Sequence, residues 1–401
     1  MKVLLITSHF YPETFRCNDI AFELVEKGYD VDVLTAIPDY PQGKYYDGYG
    51  IFRKRIERIK GVKVYRAFII PRGHGGPIRL AINYISYIIS SIAFGLYLAI
   101  RYRYDRIFVH EVSPIFVGIP AVYIKKIQKI PLVFWVLDLW PETLKSYGKF
   151  SSGFIYNQVD KLTRWIYNNC DRILISSLGF RSAIAEKGVD DAIINYFPNW
   201  ADKDHTSNIV YEIPEMPQGF ILMYAGNIGT GQNFINLMKA AEILKDDKNI
   251  NFVILGDGSM YKWVESFIMD NNLSDTVHLL GQFPSYSMPS FYKKADAMIV
   301  SLTSDFAHNN TLPAKVQGYM LAKKPILGLI DGEGQTIINE AKCGFACGAN
   351  DYKGFASLVR RVASMDKEER IRLGENGSKY SVLHFNYEKC MNNLDNILKS
   401  L

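Results

Sequence analysis

Lys315 stands two residues after Pro313 in the stretch SLTSDFAHNNTLPAKVQGYMLAKKPILG, Ser301 to Gly328, where an apolar strand gives way to a polar loop and the loop to a helix. The pattern predicts a helix opening near Thr311 with Pro313 in its first turn. The first amides of a helix are unpaired and its dipole is positive there, so this start is a ready anion seat to which Lys315 adds a full charge. Two glycine-bearing loops, GNIGTGQN (Gly226 to Asn233) and LGDGSM (Leu255 to Met260), leave a strand before a helix, which suits their amides to a diphosphate. Neither is a complete GxGxxG fingerprint, which argues against a nicotinamide enzyme.

A second group of residues closes apolar runs nearer the start of the chain: His110, Glu111 and Ser113 in FVHEVSP, then Asp138 and Glu142 in VFWVLDLWPE. Two carboxylates and an imidazole on neighbouring strand ends suit acid/base or hydroxyl-binding work, although Asp138 fits a helix N-cap equally well. The loops SHFYPETFRCND and IPDYPQGKYYDGY, which hold Glu13 and Tyr40, are polar and aromatic; such loops line carbohydrate sites or simply stiffen a surface. Arg53, Lys54, Arg55, Arg58, Lys60 and Lys63 form a basic run that reads as a solvated face.

The elements that must position these residues are strands apolar on both faces, alternating with helical patterns: KVLLITSHF, YDVDVLTA, VKVYRAFII, YDRIFVHEV, PLVFWVLDLW, CDRILISS and INYFPNW. That alternation implies parallel sheets covered on each side, with ligands beyond the strands' carboxyl ends. A polar, proline-bearing stretch then precedes a second series, FILMYAGNIG, NFVILGDGS, VHLLGQF, DAMIVSL and KPILGLI. The expected division is a domain over 1–200, a linker over 201–218, a second domain over 219–384, and a C-terminal helix over 385–401 packing back on the first domain. At 401 residues with 48% hydrophobic and 22% charged content, the chain suits two globular domains.

The net charge of +5 is too mild for nucleic acid but compatible with an anionic substrate or acidic lipid. Five scattered cysteines (Cys17, Cys170, Cys343, Cys347, Cys390) fit a reducing cytoplasm, and Cys343 and Cys347 lack histidines nearby to make a metal site. The chain starts directly as a strand, which leaves no room for a signal peptide. Leu80 to Ile100 carries no charge and is long enough to cross a bilayer, yet a span would put strands of one sheet on opposite sides. Two readings stand: a core helix, with Asn83, Ser86 and Ser90 as a narrow polar stripe, or a helix that also dips into a membrane surface beside the basic residues.

Taken together, FYPETF, IPDYPQGKYYDGY, SPIFVGIP (Ser113 to Pro120), WVLDLWPET, FPNW, YAGNIG, LGDGSM, LPAKVQGYM and KPILGLIDGEG, in this order, resemble a retaining family 4 glycosyltransferase, and more narrowly the bacterial L-fucosamine (N-acetyl-L-fucosamine) transferases of O-antigen and capsule assembly. The resemblance implies the α/β GT-B fold, two facing Rossmann-like, doubly wound parallel-sheet domains. It implies a UDP-sugar in the second domain: uracil against Gln282 and Phe283, ribose near Gly318, and the diphosphate at Gly226, Asn227, Gly256, Asn310, Thr311 and Lys315. The sugar would project toward Asp138 and Glu111, which join Lys315 as the catalytic group, with Glu13, Tyr40, His110 and Glu142 on the acceptor side. Many relatives carry a Glu, seven residues and a second Glu where Asn310 and Gly318 stand, and an Arg and a Lys where Asn227 and Gln232 or Asn233 stand, which leaves Lys315 as the cation.

The implied reaction moves a sugar from a UDP donor, with retention, to a polyprenyl-diphosphate-linked saccharide on the inner face of the cell membrane, for lipopolysaccharide or capsule synthesis. No Asp-x-Asp motif closes a strand, so no metal and no cofactor is expected, and UDP-sugar is a substrate. The alternatives are a UDP-sugar 2-epimerase, which shares the fold and needs no acceptor, and a non-catalytic membrane-associated scaffold.

Overall fold

Apolar strands joined by helices pair in parallel, because a crossover brings each strand back in the same direction. The computed structural model, which describes residues 1–73, 76–146, 153–200 and 211–401, has two such sheets. It divides into one unit of Met1–Phe197 with Glu388–Leu401 and a second of Pro198–Tyr387. Residues 201–210 of the expected linker lie outside the described residues.

The first unit holds an eight-stranded sheet of β1 (Lys2–Thr7), β2 (Asp30–Ala36), β3 (Ile56–Ile59), β4 (Val62–Ala67), β5 (Arg106–Glu111), β6 (Leu132–Val136), β7 (Arg172–Ile175) and β8 (Ile194–Tyr196), ordered β3-β4-β2-β1-β5-β6-β7-β8. All pairs are parallel except β3 with β4. That antiparallel edge carries Arg58, which keeps a second chain from pairing there. The basic run is therefore not wholly solvated: Arg55 donates through Nε to the Arg66 carbonyl at 2.6 Å, and the fully buried Arg66 pairs with Glu57 at 2.6 Å.

The second unit holds β9 (Phe220–Ala225), β10 (Ile250–Leu255), β11 (Val277–Gly281), β12 (Ala297–Ser301), β13 (Ile326–Leu329) and β14 (Gly344–Cys347), ordered β11-β10-β9-β12-β13-β14 and parallel throughout. In both sheets the order reverses beside the first strand, so the crevice at the strands' carboxyl ends lies beyond β1 and β5 in one and β9 and β12 in the other.

The apolar segment forms the helix Pro77–Arg101, the crossover between β4 and β5. It is long and apolar enough to cross a membrane by length and composition, but it packs on the sheet through Tyr87, Leu98 and Ala99. Its amphipathicity is turned inside out. Asn83, Ser86 and Ser90 face the protein, where they bond the backbone of Phe68 and Ile70, while Ile78, Ile82, Ile85, Ile89 and Ile100 are exposed. At 100° per residue these five isoleucines share one stripe.

The final helix, Tyr387–Ser400, buries Cys390, Met391, Leu394 and Leu398. Tyr29 donates to Asp395, and Arg106 donates through Nε to the Leu398 carbonyl at 3.0 Å. Leu394 is fully buried, so Leu394→Ala should cost about 2–5 kcal/mol. Chemical denaturation reads this, and an unchanged midpoint would mean that the helix adds nothing to the core.

Candidate active site

In the second unit the loops after β9, β10 and β12 are tied to one another by backbone bonds. Ile228 donates to the Asp257 carbonyl at 2.8 Å, Met260 to that of Ile228 at 2.8 Å, and Thr303 to that of Gly231 at 3.0 Å. Gly256 lies so close to Gly226 that a Cβ there would come 1.8 Å from the Gly226 carbonyl oxygen, and φ of +138° at Gly256 also calls for glycine. Lys315 reaches into these loops. Its Nζ donates to the Tyr224 hydroxyl at 2.8 Å and to Gln232 Oε1 at 2.7 Å, and lies 4.0 Å from the centre of the Tyr224 ring.

No carboxylate pairs with Lys315 among the described ion pairs. Loss of water lowers the half-buried ammonium's pKa to about 7, with nothing acidic to restore it. The neighbours that hold it, a phenol face and two oxygen dipoles, place a cation beside Gly226, whose hypothetical Cβ would lie 3.5 Å from Nζ. Such a cation at glycine-lined strand ends is chemically an anion seat.

Two expectations about this seat change. The helix starts at Ala314, not near Thr311: a separate short helix, Phe306–Asn310, capped by Asp305, comes first, and the Thr311 amide donates to the His308 carbonyl at 3.1 Å. The Thr311 amide is thus spent, and Asn310 turns its side-chain amide to the Phe306 carbonyl at 2.8 Å. Gly318 is buried inside the helix Ala314–Leu321 and offers a ribose no open surface. Asn227 is exposed beside Gly226, and Gln282 and half-buried Phe283 follow β11, with the Phe283 ring against Phe291 at 4.7 Å. Sequence reasoning missed Tyr224, because its partner lies 91 positions away.

In the first unit the site residues divide into those that face outward and those that hold loops. Asp138, two residues beyond β6, is half-buried and accepts from the Ser113 hydroxyl, which in turn accepts from the Trp140 indole at 3.1 Å. Glu111 is fully buried, and its Oε2 accepts the amides of Leu137 and Asp138 at 3.1 and 3.2 Å. It holds the Asp138 loop, and its side chain has no open surface. Burial, then the charge of Asp138, pushes its carboxyl well above the usual range.

Glu13 does the same for the next loop: Oε1 accepts the amides of Asp39 and Tyr40 at 2.9 and 2.7 Å, and Oε2 meets His9 Nδ1 at 2.9 Å. Tyr40 itself is exposed, under the Arg72 guanidinium at 5.2 Å. His110 is buried against Trp135 with Nδ1 3.1 Å from the Thr7 hydroxyl, and desolvation lowers its pKa to about 3, so it is a neutral core residue. Glu142 closes on the buried Lys187 at 2.8 Å. These placements leave Tyr40 as the only one of the four expected acceptor-side residues with an open side chain. His9, Glu13 and Asp39 bring ligand-type atoms within 4.8 Å of one another, and by residue type could hold a metal, but the Arg72 guanidinium already lies 3.6 Å from Asp39.

Known proteins bear on this arrangement. The family profile described as Glycosyl transferase 4-like domain matches residues 14–200, and that described as Glycosyl transferases group 1 matches 211–380. The Pseudomonas aeruginosa protein WbjE, described as a glycosyltransferase, is 26% identical over 64% of this chain and 65% of its own length. The Escherichia coli K12 protein WcaI, described as a colanic acid biosynthesis glycosyl transferase, is 26% identical over 79% of this chain and 80% of its own. The solved structure of Anabaena HepE in complex with UDP covers all of both chains with a TM-score of 0.73 at 14% identity, which shows the fold, the GT-B class.

Glu111→Gln tests the positioning role. A carboxyl whose folded pKa is raised contributes its full stability below its ordinary value of 4.5 and loses it as pH rises above that. The variant should therefore gain stability relative to wild type between about pH 5 and pH 7. Urea titrations at both pH values read it, and a pH-independent difference would mean that Glu111 ionises freely.

Proposed function

Since the chain is a glycosyltransferase of the group 1, 4-like kind, we propose that it moves a sugar, N-acetyl-L-fucosamine or a related N-acetylated deoxysugar, from a UDP donor to a polyprenyl-diphosphate-linked saccharide in bacterial surface polysaccharide synthesis. The observation that carries this is the Lys315 ammonium at the glycine-lined ends of β9 and β10, held by neutral groups with no carboxylate partner among the described ion pairs. A departing UDP gains negative charge as the sugar bond breaks, and a fixed cation in a desolvated seat stabilises that charge more than it stabilises the bound donor. Proximity of the phosphate would raise the ammonium's pKa above 7 and keep it charged through the reaction.

In this reading the transfer is retaining and metal-independent, with front-face attack in which the departing phosphate accepts the proton of the acceptor hydroxyl. Asp138 orients sugar hydroxyls, and Ser113 and Glu111 hold it in place. Lys315→Ala should cut turnover by about 100-fold or more, the scale of losing one such stabilising donor. The measurement is UDP release from a panel of UDP-sugars, with and without a polyprenyl-diphosphate sugar. Near-normal turnover of the variant would remove the proposal, and conversion of the donor to an epimeric UDP-sugar without any acceptor would favour the epimerase.

The reading places the enzyme on the cytoplasmic membrane surface. The isoleucine stripe of the helix Pro77–Arg101 is rimmed by exposed Arg79, Arg101 and Arg103, and the neighbouring helix Gly118–Gln128 adds exposed Tyr123, Lys126 and Ile127. An apolar stripe with a basic rim suits the boundary of an anionic bilayer. Ile85→Asp with Ile89→Asp changes exposed side chains and should spare the fold while abolishing sedimentation with phosphatidylglycerol vesicles. Sedimentation equal to wild type would take the helix off the membrane.

A further inference from the structure

The second sheet carries charge at its other end too. Where β12 and β13 begin, a cavity of about 90 Å³ opens between Asp296, the turn Lys323–Pro325 and the first turn of the helix Lys367–His384. It is well beyond the roughly 10–15 Å³ that one water needs by this measure. Lys323, Lys324, Lys367 and Arg370 line it, against a single carboxylate, Asp296.

That carboxylate is already engaged. Its Oδ2 accepts the Ile221 amide at 2.9 Å, and its Oδ1 lies 3.8 Å from Arg370 Nη2. Of the acids that open the neighbouring helix, Asp366 caps it by accepting the Glu369 amide at 2.7 Å and Glu369 lies 3.9 Å from Arg372, while Glu368 is exposed and, like them, is not among the residues that line the cavity. Lys324 Nζ is fixed at the wall by the carbonyls of Ala295 and Lys293, at 2.6 and 3.2 Å. After burial, the charges of Lys367 and Arg370 also lower its pKa, against a rise from Asp296.

The backbone of the walls is closely packed. A Cβ at Gly374 would lie 2.0 Å from the Lys323 carbonyl oxygen, so the helix sits flush on the turn that presents the lysines. Four cations against one committed carboxylate, in a cavity at a helix N-terminus, leave an excess of positive charge among the residues that line it.

We infer that this cavity is a phosphate-binding site, separate from the Lys315 seat by the length of the sheet. A phosphate group has the charge and the acceptor oxygens to take donors from Lys367, Arg370, Lys323 and the remaining Lys324 proton. β12 spans five residues, which puts the two seats about 17 Å apart along the strand. The phosphate is that of a free ion or of a lipid headgroup, and the two present the same oxygens.

Calorimetric titration of Lys315→Ala, in which the other seat is disabled, with inorganic phosphate, pyrophosphate and glycerol phosphate tests the site. Binding should persist there and weaken by about tenfold or more when Lys323→Gly and Lys367→Gln are added, one charge-assisted bond being worth roughly 1.4 kcal/mol. Lys323 has φ of +55°, where glycine is unstrained, and Lys367 is exposed, so this variant should melt like its parent. Tighter binding of glycerol phosphate than of inorganic phosphate would assign the site to a headgroup, and the reverse to the free ion. No binding of any of the three by Lys315→Ala, or equal binding after removal of the two lysines, would overturn the inference.

Discussion

A loop that leaves the end of a parallel strand has no ladder to hold it, yet this is where ligands of such sheets are met. In the first unit the missing ladder is replaced by buried carboxylates, each gripping two consecutive amides of the loop on a neighbouring strand. Glu13 holds Asp39 and Tyr40, and Glu111 holds Leu137 and Asp138. Two amides on one oxygen fix the loop's direction as well as its position, which a single bond does not. Asp138 and Tyr40 are presented by these grips, so the chemistry that the outward residues can do depends on acids that never reach solvent.

The second unit solves the same problem with neutral groups. The Tyr319 hydroxyl bridges the amide and carbonyl of Ala225 at 3.0 Å each, the Ser301 hydroxyl donates to the Gln232 carbonyl at 2.8 Å, and the Tyr224 hydroxyl donates to that of Asn227 at 2.6 Å. An acid in place of Tyr224 would pair with Lys315 and raise its pKa. The Tyr224 phenol and an amide oxygen orient the ammonium without cancelling its charge, which keeps its field available to an anion. The difference between the two units is therefore electrostatic: the first buries its carboxyl groups under backbone, and the second leaves the Lys315 ammonium without a carboxylate among the described ion pairs.

The sheets were legible because strands buried on both faces read as continuous apolar runs, and every such run became a strand. Lys315 was legible because a proline and a lysine open a helix after a strand. Its setting was not, since Tyr224 and Gln232 come from 91 and 83 positions away. The start of that helix was misplaced by three residues because Asp305 caps an extra turn, which no periodicity over five residues reveals. Glu13, Glu111, His110 and Glu142 have the residue types of catalytic groups, and only burial separates a group that supports a loop from one that is open to solvent. Asp138 and Glu111 differ in this way although both close apolar strands.

The helix Pro77–Arg101 shows the same limit of pattern reading, and more. A narrow polar stripe on an apolar helix ordinarily faces water, and the apolar remainder the core. Here the stripe is needed inside, because the backbone of Phe68 to Ile70 leaves β4 without a partner strand and takes its bonds from Asn83, Ser86 and Ser90. Once those residues face inward, helical geometry forces the isoleucines outward. Five exposed isoleucines in one stripe are unfavourable in water at about 25 cal/mol per Å² of apolar surface, a cost that a bilayer boundary removes. The polar stripe that holds the loop is thus the same feature that creates the surface suited to lipid.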